Sequence, residues 1–358
     1  MKALVIGAGT AGAATAMALR QVGVECSVRE ARAEGDVPEA GYLTIMPNGM
    51  EALAELAAEH SVTDCSIPSR TLEVRDSSNA VIGERSLTAQ HTPRTLTQAS
   101  LCRALRGEVA RRGIDIAHGA RLTSAHEEPD GVVAEFSDGR EERADVMIGA
   151  EGVRSLTRRL IDPKAPDPRY TGLNIVYGYT QHPVPDPAPP ETARMIYGSG
   201  GFFGYKSGVD GGTWWFARLQ RPELPRAELR SMTGRDWHAL AGAAFAREVI
   251  PAPGVISATE PGDVIGLQVY DIPTLPTWHS ARMLVVGDAA HAASPAAGQG
   301  ASFALEDATA LARCLRNGRD IPTAFTDFEA QRRARAEDLV AASAGHSHTD
   351  AERKAQER

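Results

Sequence analysis

Three glycines near the start of the chain have the spacing of a phosphate-binding loop. Gly7, Gly9 and Gly12 form the pattern Gly-x-Gly-x-x-Gly, with Thr10 and Ala11 between the last two. In a dinucleotide fold the first glycine makes a tight turn and the second lets the backbone approach a pyrophosphate. The third lets the following helix pack on the strand. The first amides of that helix face the phosphates, so the pattern predicts a nucleotide-binding loop.

A carboxylate follows at the distance that this fold requires. Glu30 ends the next apolar strand, 18 positions after Gly12, close to the spacing of about 20 in known dinucleotide sites. A carboxylate there can accept hydrogen bonds from ribose hydroxyls and would repel a 2′-phosphate. The competing interpretation is a tight turn with a surface glutamate. The preceding strand and the following helix favour the nucleotide site.

A second group of acidic and small residues lies far downstream. An apolar strand pattern delivers Asp288, whose carboxylate can bond a hydroxyl of a ribityl chain. The turn Gly298-Gln299-Gly300-Ala301 then opens a predicted helix, whose amides can face the N1–C2=O edge of a flavin. A glycine-rich helix entry without a ligand is the competing interpretation.

The elements around these motifs predict an α/β fold. Short apolar runs at 3–6, 145–150 and 283–286 are typical of buried parallel strands, and an Ala-rich helix follows the first. Alternating patterns, turns and clustered aromatics between them predict antiparallel strands. We therefore predict a discontinuous cofactor domain with an inserted substrate-binding β-sheet domain. The predicted bounds are 1–65, 98–165 and 276–330 for the cofactor domain, 66–97 and 166–275 for the substrate domain, and 331–358 for a C-terminal helix and tail.

Composition and charge disfavour several classes of partner. The 358 residues are 42% apolar and 23% charged, with a formal net charge of −8. This charge argues against nucleic acid or an anionic membrane as a partner. No apolar run reaches the length of about 18 residues that predicts a membrane span, and the N-terminus has no signal-peptide pattern. The four cysteines are widely scattered, which favours a reducing, cytoplasmic location.

Taken together, the motifs resemble those of the class A (single-component) FAD-dependent monooxygenases and aromatic hydroxylases, the family typified by para-hydroxybenzoate hydroxylase. The resemblance covers roughly residues 1 to 330, and it is nearer to the shorter tetracycline-monooxygenase-like and antibiotic-pathway members. It depends on the glycine loop, the segment 145–155 and the Gly287-Asp288 motif with its Gly-Gln-Gly turn. It implies a glutathione-reductase-type Rossmann FAD-binding domain, an inserted and mostly antiparallel β-sheet substrate domain, and a C-terminal helix.

The resemblance also implies a role for each matching residue. The glycine loop holds the FAD pyrophosphate, Glu30 the adenosine ribose and Asp288 the ribityl chain or pyrophosphate. Pro295 lies beside the point where oxygen adds to the flavin, and Glu151 stands where the family usually has Asp. The cofactor-binding set implied in this way is Gly7, Gly9, Thr10, Ala11, Gly12, Glu30, Arg32, Gln98, Asp288, Pro295, Gly298, Gln299, Gly300 and Ala301.

The implied reaction uses NADPH or NADH and O2. Reduced FAD forms a C4a-hydroperoxyflavin, which inserts one oxygen atom into an aromatic or polyketide-like small molecule by hydroxylation or epoxidation.

No catalytic side chain is implied beyond the flavin, and His291 is interpreted as a packed or capping residue. The ten histidines have no metal-site spacing. Phe203, Tyr205 and Trp215 are candidates for the substrate pocket, with plain core packing as the competing interpretation.

Two other functions stay open at this point. One is a flavin oxidase or reductase that moves hydride without inserting oxygen. The other is a flavin-binding module without catalysis. The sequence also leaves open the substrate, Baeyer–Villiger insertion, the choice between NADH and NADPH, and whether the protein is a monomer or a homodimer.

Overall fold

The computed structural model describes residues 1–37, 41–208, 210–316 and 320–356. Its strands are β1 (Lys2–Ile6), β2 (Glu25–Arg29), β3 (Tyr42–Ile45), β4 (Ile67–Pro68), β5 (Thr71–Arg75), β6 (Val81–Ser86), β7 (Arg94–Thr97), β8 (Asp115–Ala117), β9 (Leu122–Glu128), β10 (Gly131–Phe136), β11 (Glu141–Ala144), β12 (Val146–Gly149), β13 (Arg169–Thr180), β14 (Thr192–Tyr197), β15 (Phe202–Ser207), β16 (Thr213–Gln220), β17 (Val264–Asp271) and β18 (Met283–Val285). Its α-helices are α1 (Thr10–Gln21), α2 (Pro47–Glu55), α3 (Glu59–Thr63), α4 (Gln98–Arg111), α5 (Leu156–Ile161), α6 (Arg226–Ser231), α7 (Gly234–Phe245), α8 (Ala252–Ser257), α9 (Asp288–His291), α10 (Gly300–Arg316) and α11 (Ile321–Gln356).

A five-stranded parallel sheet, in the order β18-β12-β1-β2-β8, forms the first half of the fold. Its central strands are apolar on both faces because both faces are covered. Ala3 and Val5 of β1 pack with helices that include α1 and α10, whereas Leu4 and Ile6 pack against the antiparallel sheet β11-β10-β9. This burial on both sides explains the continuous apolar runs in the sequence.

A seven-stranded sheet, in the order β17-β13-β16-β15-β14-β5-β6, forms the second half. All its pairs are antiparallel except β5 with β14. One face is covered by α7 and α8, where the rings of Phe203 and Phe245 lie 5.5 Å apart. Gly266 is required on this face because a Cβ there would lie 2.0 Å from the ring of Trp237.

The opposite face of this sheet is turned toward β3, which pairs with β7 in a small sheet. Tyr42 of β3 contacts Trp214 and Phe216, with ring centroids 5.9 Å away in each case. The strand register assigns further residues to the same face. We call it the inner face, and it is formed by Tyr177, Phe202, Lys206, Trp214, Phe216 and Arg218.

The predicted fold class is confirmed, with one region that the sequence did not resolve. Residues 226–257 lie in a stretch predicted as sheet and turns, but they contain α6, α7 and α8. These helices are short, and the frequent Pro and Gly residues around them obscured the helical spacing of their apolar residues.

The predicted division into domains stays a prediction. No helix within the described ranges is both long and apolar enough to cross a bilayer.

The two faces of the seven-stranded sheet predict unequal effects for two adjacent phenylalanines. Phe203→Ala removes a fully buried ring and should lower the free energy of unfolding by about 3–5 kcal/mol. Phe202→Ala on the half-buried inner face should cost about 1 kcal/mol. Urea unfolding of both variants measures this difference, and equal losses would contradict the assignment of faces.

Candidate active site

The motif residues meet at one edge of the parallel sheet. Because β1, β2, β12 and β18 are parallel, their carboxyl ends lie side by side, and this is where ligands bind in open α/β sheets. The segments that leave these ends begin at Gly7, Glu30, Ala150 and Val286. Residues that are far apart in the sequence therefore surround a single crevice.

The three loop glycines meet different constraints. Gly7 has φ +101°, and a Cβ on Gly12 would lie 1.8 Å from the Gly7 carbonyl oxygen, so the fold itself requires both. A Cβ on Gly9 would meet no atom of the described residues within 4 Å. Its φ of −78° is one that any residue adopts. Close approach of a ligand is thus the only evident reason for a glycine at this position, which fits a pyrophosphate.

The Glu30 carboxylate is held firmly beside this loop. It accepts hydrogen bonds from the backbone N–H groups of Ala8 (2.8 Å) and Arg32 (2.9 Å) and from Nη2 of Arg106 (3.3 Å). Arg106 also donates from Nε to the Ala8 carbonyl oxygen at 2.8 Å. The side chain of Arg32 is exposed. Arg106 was missed by the sequence analysis because an arginine on a helix has no motif of its own.

Gln98 lies next to the segment that enters β3. It is the first residue of α4, and its backbone N–H donates to the Gly41 carbonyl oxygen at 3.1 Å. The Oγ of Ser302, in the first turn of α10, accepts from the Met46 N–H at 3.0 Å. These two bonds fix β3 between α4 and α10, so the residues of the Gly-Gln-Gly turn lie close to the strand that carries Tyr42.

The turn into Asp288 is supported by a buried charge cluster. Gly287, with φ +59°, donates its N–H to Asp307 at 2.9 Å. The same carboxylate binds His291 Nε2 and Arg332 Nε, each at 2.7 Å. We call Asp307, His291 and Arg332 the Asp307 cluster. All three residues are at most 5% exposed.

The electrostatic surroundings favour the ionised forms of Asp307 and His291. Burial alone would raise the pKa of Asp307, but His291, Arg332 and the Gly287 N–H outweigh it and lower that pKa. Burial opposes protonation of His291, yet the adjacent Asp307 carboxylate raises the pKa of the imidazole. His291 is therefore a buried ring held by the Asp307 carboxylate, in agreement with its interpretation as a packed residue.

Asp288 lies just after the carboxyl end of β18. Its side chain is accessible, but enclosure by protein raises its pKa, with Asp307 adding to the shift and His291 opposing it. A carboxyl group in this setting can exchange hydrogen bonds with the hydroxyls of a bound ribityl chain.

The start of α10 presents its amides to the same crevice. Gly298 adopts φ +62°, and the Gln299 carbonyl oxygen accepts from the Phe303 N–H at 2.9 Å. The N–H groups that open a helix have no partner within the helix, and those of Gly300 and Ala301 lie in this first turn. Pro295, in the preceding 3-10 turn, is exposed.

The glutamate that departs from the family pattern has a structural role. The Glu151 carboxylate accepts from Ser155 Oγ (2.7 Å), the Leu156 N–H (3.1 Å) and the Thr157 N–H (2.9 Å). It therefore caps the first turn of α5. Arg158 on that helix is buried and donates to the Ala289 carbonyl oxygen at 3.0 Å, which ties α5 to the segment that follows Asp288.

The three aromatic candidates for the substrate pocket need correction. Phe203, Tyr205 and Trp215 are 0% exposed and lie on the face of the seven-stranded sheet that packs on α7. Core packing, the competing interpretation, is what the structure has. Their direct neighbours Phe202 and Trp214 are on the inner face instead. Adjacent aromatics on a strand covered on both sides do not reveal which of the two faces the cofactor.

Comparison with known proteins gives the same assignment as the motifs. The family model described as FAD binding domain matches residues 1–196 and 269–343. An FAD-dependent urate hydroxylase of Klebsiella pneumoniae is 30% identical over 95% of this chain and 88% of its own. A 3-amino-4-hydroxybenzoate 2-monooxygenase of Streptomyces cremeus is 30% identical over 87% of this chain and 77% of its own. These matches confirm the predicted resemblance.

A solved structure agrees over nearly the whole length. Klebsiella pneumoniae HpxO complexed with FAD and uric acid is similar with a TM-score of 0.88 at 27% identity, covering 98% of this chain and 88% of that one. The tetracycline destructase Tet(55) shares the fold, with a TM-score of 0.76 at 19% identity over 97% of this chain and 89% of its own.

Asp307→Asn should destabilise the protein by about 3–5 kcal/mol at pH 6, because it removes the buried carboxylate that binds both His291 and Arg332 and leaves Arg332 with Glu306 alone. Asp307 has a lowered pKa in the folded state, so its ionisation stabilises the fold above the unfolded value of about 3.9. That contribution is lost as the pH falls through the folded-state pKa. The difference in free energy of unfolding between Asp307→Asn and wild type should therefore be smaller at pH 3 than at pH 6.

Denaturant unfolding at both pH values measures this effect. The exposed Asp130→Asn is the matched control, with an expected change within about 0.5 kcal/mol. If Asp307→Asn lowers the free energy of unfolding by the same amount at pH 3 as at pH 6, the stabilising role of the ionised Asp307 carboxylate is contradicted.

Proposed function

The chain belongs to the FAD binding domain family and is an FAD-dependent monooxygenase, and we propose that it uses NADPH or NADH and O2 to insert one oxygen atom into an aromatic or polyketide-like small molecule. One observation carries the proposal. The glycine loop, Asp288 and the first turn of α10 converge at the carboxyl edge of the parallel sheet, and the β3 strand beside them contacts the aromatic inner face. Cofactor and substrate residues are thus neighbours.

The geometry of this edge supports the proposed FAD site. Gly7, Gly9 and Gly12 with the first amides of α1, at Thr10 and Ala11, would bind the pyrophosphate, and Glu30 would accept from the adenosine ribose. Asp288 would bind the ribityl chain. Gly298, Gln299, Gly300 and Ala301 would offer amides and the positive end of the α10 dipole to the pyrimidine edge, where negative charge is stabilised. Arg32 and Gln98 would flank the cofactor, and Pro295 would border the oxygen site.

FAD supplies the redox and oxygen chemistry when it is bound. The side chains of this chain bind and orient the reactants and exclude water. Tyr42, Trp214 and Phe216 offer ring faces on which a planar substrate can stack. Relatives are named for hydroxylation of urate and of 3-amino-4-hydroxybenzoate, which supports an electron-rich aromatic substrate. A cytoplasmic location and a monomeric or homodimeric state stay predictions.

Two glycine variants separate cofactor binding from folding. Gly9→Ala adds a methyl group where none of the residues that the structure describes has an atom within 4 Å. The fold should therefore be retained while FAD affinity falls about tenfold or more, because the methyl group would meet the pyrophosphate. Gly12→Ala places a Cβ 1.8 Å from the Gly7 carbonyl oxygen, so it should lower stability itself. Circular dichroism melting and flavin absorbance of the purified variants give both readouts. Full FAD occupancy of Gly9→Ala would contradict the assigned pyrophosphate site.

Turnover tests the reaction itself. The FAD-loaded protein should lose its visible absorbance when NADPH or NADH is added without oxygen. With urate, 3-amino-4-hydroxybenzoate and polyketide phenols as candidate substrates, at least one should stimulate O2 uptake and yield a product that carries one atom from isotopically labelled O2. Bleaching followed by release of only hydrogen peroxide with every candidate would favour an oxidase. A colourless protein that FAD cannot reconstitute would overturn the assignment as a flavoenzyme.

A further inference from the structure

An arginine on α4 joins three segments that border the proposed adenosine site. Nε of Arg106 donates to the Ala8 carbonyl oxygen at 2.8 Å, inside the glycine loop. Nη1 donates to the Asp36 carbonyl oxygen at 2.9 Å, in the segment that follows β2. Nη2 donates to Oε2 of Glu30 at 3.3 Å. One guanidinium therefore fixes the glycine loop, the carboxylate and the segment after it relative to one another.

These bonds are largely shielded from solvent. The side chains of Arg106 and Glu30 are only 11% and 10% exposed. A hydrogen bond between ionised groups is stronger than a neutral one, and burial limits its screening by salt. The planar guanidinium presents its N–H donors in a fixed fork. It satisfies all three acceptors only when they keep one arrangement, so it stabilises that arrangement over the alternatives.

The two oxygens of Glu30 are used unequally by the protein. An ionised carboxylate offers about four acceptor sites. Oε2 accepts from the Ala8 N–H at 2.8 Å and from Arg106, whereas Oε1 accepts from the Arg32 N–H at 2.9 Å. Because Oε2 is engaged twice, Oε1 is the oxygen that can still accept from a ribose hydroxyl. The carboxylate is thus oriented before a ribose arrives.

The same arginine borders a space of ligand size. An open groove of about 690 Å³ lies between α4 and β8, and Arg106 is one of its lining residues. The groove is also lined by small or apolar residues, namely Ala33, Gly107, Ala110 and Ile116. The three bonds of Arg106 are therefore made beside a region that a bound molecule can enter.

We propose that Arg106 is a positioning residue for FAD, and that its guanidinium holds the glycine loop and Glu30 in the arrangement that binds the adenosine half of the cofactor. This inference rests on the proposed FAD site and adds to it a residue outside the sequence motifs. Without Arg106, part of the binding free energy of FAD is used to order these segments, which lowers the affinity. The flavin half, at Asp288 and α10, keeps its surroundings.

The test measures FAD release from the loaded, full-length protein. Samples are diluted in steps, and flavin fluorescence gives the Kd of FAD for each variant. Arg106→Met should raise this Kd about tenfold or more. Arg106→Lys keeps the charge but not the fork, so it should raise the Kd by a smaller factor. Arg103→Met, at an exposed site on the same helix, is the matched control and should leave the Kd unchanged.

Two further readouts separate positioning from a general loss of structure. At saturating FAD, the midpoint reduction potential of the bound flavin should equal that of wild type in Arg106→Met, because the change lies at the adenosine end. In a Glu30→Gln background, Arg106→Met should raise the Kd by a smaller factor than in wild type, because the two residues act together.

Several outcomes would overturn the proposal. One is an unchanged Kd in Arg106→Met, or in Arg106→Lys if the methionine variant does not fold. Others are a shifted reduction potential and equal factors in the two Glu30 backgrounds. A wild type that binds no FAD would contradict the proposed function instead, so the two ideas can fail separately.

Discussion

The buried carboxylate of Asp307 is the interaction on which the cofactor edge depends. It binds the Gly287 N–H, His291 and Arg332 at once, and so joins the end of β18 to α9, α10 and α11. Gly287 adopts φ +59°, and the hydrogen bond that its N–H donates to Asp307 holds the turn that precedes Asp288. Removing any of these partners would leave a deeply buried charge less compensated, so the three bonds together stabilise the turn that precedes Asp288.

The two faces of the seven-stranded sheet both carry aromatic side chains, but the surroundings of the two faces differ. The face toward α7 is packed like any core, with Phe203 against Phe245. The inner face carries aromatics that are only partly buried, together with Lys206 and Arg218. The proposed substrate surface and a hydrophobic core are the two faces of the same strands, and successive residues along each strand alternate between them.

This duality sets the limit of what the sequence predicts. The parallel sheet, the glycine loop, Glu30 and Asp288 were predictable, because dihedral freedom, buried strands and spacing leave local signals. The identity of the inner face was not. Alternation identifies two sets of side chains, but choosing between Phe202 and Phe203 needs knowledge of where α7 packs. Arg106 and Asp307 act through partners that are distant in the chain, so their roles could not be predicted from neighbouring residues.

The hydrogen bond from the Met46 N–H to Ser302 Oγ has a consequence for how the protein is made. It joins the first sixth of the chain to the last, as the Asp307 cluster joins β18 to α11. During synthesis, β1, β2 and β12 can pair while the chain is still growing, since domains begin to form from the N-terminal side. The crevice is closed only after α10 and α11 have left the ribosome. A chain truncated before α10 would therefore contain the glycine loop but lack the helices that complete the crevice. FAD would then bind only late in the synthesis of the protein.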